Sequence, residues 1–128
     1  MIKVILESPF MGRTDDLIIH KIKPLRLLVK YFLTKRNIKY ARMCVRDSLS
    51  RGESPIASHL LYTQKGILND DIPEERRWGI EAGLAWKVNA KKHVFYIDYG
   101  MSTGMEYGIK YATKKKIQIE YRKIFYKN

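Results

Sequence analysis

Cysteine is almost missing from this chain: Cys44 is the single one among 128 residues. One thiol closes no intrachain disulfide, so a disulfide-stapled scaffold is excluded and a reducing, cytoplasmic compartment is the expectation. Cys44 lies within a helical apolar pattern, which suits a small buried side chain better than a catalytic thiol. Long apolar runs are missing too. Residues 25–29 are interrupted by Arg26 and fall far short of the roughly 20 residues a membrane span needs. The opening MIKVILE has neither a basic leader nor a long apolar stretch, so no signal peptide is expected. His20, His59, His93 and Cys44 stand at no familiar zinc-ligand spacing. There is no Walker A lysine, no Gly-x-Gly-x-x-Gly, no His-Glu-x-x-His and no Cys-x-x-Cys. No metal and no cofactor are therefore expected. Acidic residues are scarce, 13 against 25 Lys and Arg, for a net charge of +12. Such a field attracts nucleic acid, anionic membrane or phosphorylated small molecules. The basic residues are dispersed, and no helix-turn-helix or zinc-finger pattern appears, so nucleic acid is the lesser expectation.

What is present is an alternation of strand and helix signals in a length that suits one domain, residues 1–128. Residues 2–6 (IKVIL) read as a short buried strand ending before Pro9 and Gly12. Residues 15–34 are basic and apolar, with Leu25, Leu28, Val29 and Phe32 at helical spacing and Pro24 near a helix start. Residues 37–51 read as a separate helix, its stripe being Ile38, Ala41, Val45 and Leu49, stopped by Gly52. Residues 55–58 suggest a second strand, followed by a turn-rich loop. Pro73 opens a helix capped by Asp71, with Ile80, Leu84 and Val88 expected inward. Residues 93–98 form a third strand. A helix over 103–114 places Met105, Ile109 and Ala112 inward, and residues 117–121 form a last strand. This order predicts an α/β, three-layer fold with a short, mainly parallel sheet.

Open parallel sheets bind ligands beyond the carboxyl ends of their strands. The unusual polar residues gather at three such ends. Ser8, Pro9, Phe10 and Gly12 offer a hydroxyl, a stacking ring and a close backbone approach, or else an ordinary loop. His59 and Tyr62 follow the second strand; the histidine suits a phosphate donor, an acid/base or a hydrogen-bonded structural residue. Asp98, Gly100, Ser102, Thr103, Gly104 and Met105 run from strand into helix. There the first helical N–H groups make an anion site, or the segment is simply a capped helix start.

Glu7-Ser8-Pro9-Phe10, residues 37–53 (NIKYARMCVRDSLSRGE), 57–62 (ASHLLY), 73–86 (PEERRWGIEAGLAW), 96–109 (YIDYGMSTGMEYGI) and 119–122 (IEYR) together resemble a phage and prophage family of small uncharacterised proteins. That family is similar in fold to nucleoside 2-deoxyribosyltransferases. The resemblance implies a flavodoxin-like sheet, a nucleotide-type pocket and residence in the cytoplasm of a bacterial host. Relative to it, residues 13–35 are a basic insertion. In the transferases a carboxylate nucleophile lies three residues beyond the position occupied here by Met105, and that position is Gly108. Glu106, two residues earlier, points another way on a helix. Asp98 and Glu106 are the substitutes to consider, then Asp70, Asp71, Glu75 and Glu81.

Two functions follow. The first is a non-catalytic protein that sequesters a nucleotide immune messenger, of cyclic dinucleotide or cyclic ADP-ribose type, made by a bacterial defence system. The second is an enzyme, an N-glycosidase or 2-deoxyribosyltransferase, using Asp98 or Glu106. Nine Tyr and two Trp leave room for a homo-oligomer, and pockets of the resembled fold are often completed by a neighbouring copy.

Overall fold

The computed structural model describes residues 1–10 and 21–125. In chain order the elements are β1 (Ile2–Glu7), α1 (Lys23–Ser50), β2 (Glu53–Ile56), α2 (Ser58–Leu61), α3 (Pro73–Lys87), β3 (Lys92–Tyr96), α4 (Thr103–Lys114) and β4 (Gln118–Arg122). The four strands are all parallel, in the order β2-β1-β3-β4. The chain therefore leaves β1 toward one edge and later returns to its other side. With right-handed crossovers, α1 covers one face while α3 and α4 cover the other. This is the expected three-layer, flavodoxin-like α/β arrangement, and its strand order reverses between β1 and β3.

Alternation along the strands builds the two cores. Val4 and Leu6 of β1 with Val94 and Tyr96 of β3 pack beneath Tyr40 and Cys44 of α1, and Ala57 closes the cluster. The opposite face carries Ile5, His93 and Phe95, and on that side α4 buries Met105 and Ala112. The Cys44 thiol is pushed up to about 12, first by burial, so it is an inert packing residue at neutral pH.

Several expected elements shift. The two helices expected over 15–34 and 37–51 are one: nothing between Thr34 and Asn37 breaks a helix, and α1 runs unbroken for 28 residues to the positive-φ Gly52. Its buried positions are Asn37, Tyr40, Ala41, Cys44 and Ser48, whereas Leu49 faces solvent. At 1.5 Å per residue α1 is about 42 Å long, against about 20 Å for the longest strand. Its first half has no sheet beneath it, which is why Leu25, Leu28 and Phe32 are exposed. The second strand begins at Glu53 rather than 55, and Ser58 starts the short α2. On α3, Ile80, Leu84 and Val88 point outward, and Gly83 is the buried residue. Ile72, not Asp71, is its N-cap, with Pro73 as the first helical residue. Ile109 is half-buried.

A buried ionic network closes the α1 face. Arg122 of β4 donates from both terminal nitrogens to Glu53 of β2, each at 2.7 Å, and Lys92 of β3 lies 2.9 Å from the same carboxylate. Ser48 donates to Glu53 at 2.8 Å. These hydrogen bonds, Arg122 foremost, hold Glu53 down to about 2 against the opposing effect of burial. A shallow depression of about 520 Å³ lies on the outer side of α1, lined by Arg42, Val45, Arg46, Leu49 and Ser50, far from the strand tips. Among the described residues, no helix is long and apolar enough to cross a membrane.

Candidate functional site

Because all strands are parallel, the segments after β1, β2 and β3 emerge at one edge. The first two meet directly. Ser8 Oγ lies 2.9 Å from His59 Nε2 on α2, and the Phe10 ring stands edge-on to the imidazole at 6.2 Å. Burial and the nearby Lys87 cation push His59 down to about 4. At neutral pH the ring is uncharged and one partner of the Ser8–His59 pair donates to the other. Pro9 is buried beside them. Tyr62 is the C-cap of α2, its hydroxyl accepting from Trp86 Nε1 at 3.0 Å. Gly12 lies outside the described residues, as do residues 13–20 of the expected insertion.

At the third strand end the polar groups are engaged within the fold. Asp98 accepts from the Tyr40 hydroxyl at 2.5 Å and from the backbone N–H groups of Ile124 and Phe125 at 2.9 and 3.0 Å. Burial alone would raise its pKa; these donors outweigh it and hold the carboxylate below its ordinary value. Its acceptors are thus engaged within the fold. Gly100, at φ 81°, makes the turn. Ser102 is the N-cap of α4, accepting from Met105 N–H at 3.2 Å while its own N–H points to Met105 Sδ at 3.5 Å. Thr103 and Gly104 complete the first turn; Glu106 is exposed. A Cβ on Gly104 would meet nothing nearer than Ser102 Oγ at 3.9 Å. Asp70 lies 3.6 Å from Arg76, Glu75 accepts from the Asn69 N–H, and Asp71 and Glu81 are exposed.

The structure adds residues that the sequence did not single out. Asn37 donates to the Phe10 carbonyl at 3.1 Å, and the neighbouring Arg36 guanidinium lies 3.9 Å above the Tyr99 ring. This pair joins the first strand end to the third. The half of α1 preceding it projects past the same edge. Glu7, the last residue of β1, faces α4. Its Oε1 lies 3.5 Å from Lys87 Nζ, and its buried Oε2 has no hydrogen-bond partner among the described residues. A Cβ on Gly108 would fall 1.9 Å from that oxygen, so Glu7 occupies space that only glycine at 108 leaves. Burial raises Glu7 to about 6, with Lys87 opposing. Next to it on the same sheet face, His93 is fully buried and lies flat against Tyr111 with ring centroids 6.1 Å apart. Neither of its ring nitrogens makes a well-formed hydrogen bond, and burial lowers its pKa.

The fold is an α/β arrangement of flavodoxin-like architecture, with polar side chains gathered at the edge where the strand order reverses. Residues 2–122 match the model of the family described as Domain of unknown function (DUF7768), and the chain belongs to that family. No curated protein and no solved structure matches it.

Proposed function

We propose that the protein binds a small anionic nucleotide in the crevice between the β1 and β3 tips. The observation that carries this reading is the convergence, at that edge, of the neutral Ser8–His59 pair with the Arg36–Tyr99 stack. Hydroxyl and imidazole suit sugar or phosphate oxygens, the aromatic faces of Phe10 and Tyr99 suit a base, and the α4 N-terminus favours negative charge. The net charge of +12 speeds capture of an anion. The role suggested by the sequence resemblance is a phage protein that sequesters a cyclic dinucleotide or cyclic ADP-ribose-type messenger in the host cytoplasm. A second copy of the chain is part of this reading: Ile80, Leu84 and Val88, one turn apart on α3, form an exposed apolar stripe with the spacing of a helix–helix contact. One observation favours the second reading, an N-glycosidase or 2-deoxyribosyltransferase at the same pocket: the volume left by Gly108 contains a carboxylate, that of Glu7.

The test is a thermal-shift series with nucleoside 5′-monophosphates, cyclic dinucleotides and cyclic ADP-ribose isomers. A ligand at a hundred times its Kd stabilises by about 2.7 kcal/mol, which raises Tm by several degrees. A rise with one nucleotide class, lost in Ser8→Ala or Arg36→Ala, supports the reading. No rise with any of them overturns it.

A further inference from the structure

We propose that the outer face of α1 docks on an anionic phospholipid bilayer, the overhanging half of the helix entering the headgroup layer and the half above the sheet lying on its phosphates. The residues gathered at the strand tips take no part.

The apolar side of α1 inverts along its length. From Asn37 to Ser48 the buried positions face the sheet. In the overhang the apolar row points the other way. Leu25, Leu28 and Phe32 recur at spacings of three and four, and the same row continues through Lys35, Lys39, Arg42 and Arg46. At 3.6 residues per turn these positions share one sector about 100° wide and about 32 Å long, on the side of α1 away from the sheet. All of them are exposed, Leu28 by 51% and Phe32 by 59%. Leu27 and Tyr31, exposed as well, flank the apolar end, and Lys35 joins the two ends by standing over the Tyr31 ring at 5.0 Å. Lys23, Arg26 and Lys30 occupy the reverse side of the overhang, as on a helix that lies in an interface.

Charge decides the occupant. Residues 21–46 contain nine Lys and Arg and no Asp or Glu. Among the described residues, Lys39, Arg42 and Arg46 have no acidic partner. A second copy presenting the same face is repelled by it. A nucleic-acid backbone satisfies the cations but offers no hydrocarbon to Leu25, Leu28 and Phe32. An anionic bilayer offers both, acyl chains to the apolar end and phosphates to the cationic row. Arg42 and Arg46 also line the depression of about 520 Å³ on this side, so a headgroup phosphate there meets two guanidinium groups. The cations keep the helix on the surface rather than across it.

The experiment co-sediments the full chain with vesicles of phosphatidylcholine alone, and of phosphatidylcholine with phosphatidylglycerol as the minor component. Wild type should bind the anionic vesicles and leave the neutral ones. Lys39→Ala/Arg42→Ala should weaken binding at least about tenfold, since each cation at an anionic surface multiplies affinity about fivefold. Lys114→Ala/Lys115→Ala removes the same charge from exposed positions at the end of α4, across the sheet, and should weaken it less than about threefold. Leu28→Ser/Phe32→Ser keeps every charge and should also lose at least about tenfold. Phe32→Trp should bind like wild type and be quenched by brominated acyl chains, unlike Trp78 and Trp86 on α3. Each changed side chain is exposed, so circular dichroism should match wild type throughout. Absence of binding to anionic vesicles overturns the proposal. Equal losses in the two charge variants, full binding by Leu28→Ser/Phe32→Ser, or an unquenched Phe32→Trp overturn it too. Binding of duplex DNA or RNA in place of vesicles gives the face to nucleic acid. A mass lowered by Leu28→Ser/Phe32→Ser at sedimentation equilibrium, without vesicle binding by wild type, gives it to a second copy. Either result overturns the proposal.

Discussion

Gly108 and Glu7 form a pair whose meaning lies in what one lacks. An alanine at 108 places its Cβ 1.9 Å from Glu7 Oε2. The tip of Glu7 is flexible, so it swings aside and gives up its contact with Lys87. Gly108→Ala should therefore destabilise the wild type by about 1–2 kcal/mol. In a Glu7→Ala background the clash is gone and the same substitution should stabilise by up to about 1 kcal/mol, because alanine is the better helix former. A denaturant-unfolding cycle measures the change of sign. Proton linkage gives a second handle. Glu7 rises from 4.5 to about 6, so its contribution to stability is complete below 4.5 and is lost as pH climbs through about 6. His59 falls from 6.5 to about 4, so its contribution is complete above 6.5 and is lost as pH drops through about 4. The two oppose each other between 4.5 and 6. Glu7→Gln removes one of them, and Tm of that variant should rise with pH across this window more steeply than wild type.

At the scale of elements, the ionic network under α1 ties the two edge strands across the sheet. Removing one partner of such a buried pair strands the other charge. Arg122→Ala should cost about 3 kcal/mol, with Lys92 and Ser48 still serving Glu53. Glu53 contributes fully above 4.5 and loses its contribution as pH falls through about 2. In Arg122→Ala, acid unfolding should begin at higher pH, which a Tm series below pH 5 detects. Elements were legible where local signals agreed. The helix over 103–114 has the expected bounds because Ser102 caps it and Gly100 turns the chain before it. The single α1 was not legible, since no residue type marks the continuity of two weakly patterned segments. Nor was the outward stripe on α3, because periodicity identifies an apolar face without saying what covers it. At the candidate site, the shared edge and the meeting of Ser8 with His59 followed from strand alternation. Glu7 and Arg36 did not, because each gains its significance from a residue distant in sequence: Gly108 and Tyr99.

At the scale of the whole molecule, α3 and the overhanging half of α1 each carry several exposed apolar side chains among the described residues. Trp78, Ile80 and Leu84 on α3 and its C-cap Val88 are all exposed, as are Tyr31 and Phe32 on α1. An isolated chain with that much open apolar surface favours self-association. Leu84→Glu places a charge in the middle of the α3 stripe. On the proposed pairing of two copies through this stripe, it should lower the mass seen by sedimentation equilibrium while leaving the circular dichroism spectrum unchanged. A nucleotide thermal-shift series on the same variant then tests whether the proposed second copy contributes to the proposed binding edge.

The clamp on Asp98 has a practical consequence. The family match ends at residue 122, yet two of the donors that hold Asp98 belong to Ile124 and Phe125. The Phe125 ring also packs 5.6 Å from Tyr40 and 5.8 Å from Tyr99. A chain trimmed to the family boundary would keep every strand and helix but lose the latch on the β3 tip. Anyone shortening this protein for crystallisation, or fusing a tag directly after Arg122, would be altering the proposed ligand-binding edge from what looks like a safe distance.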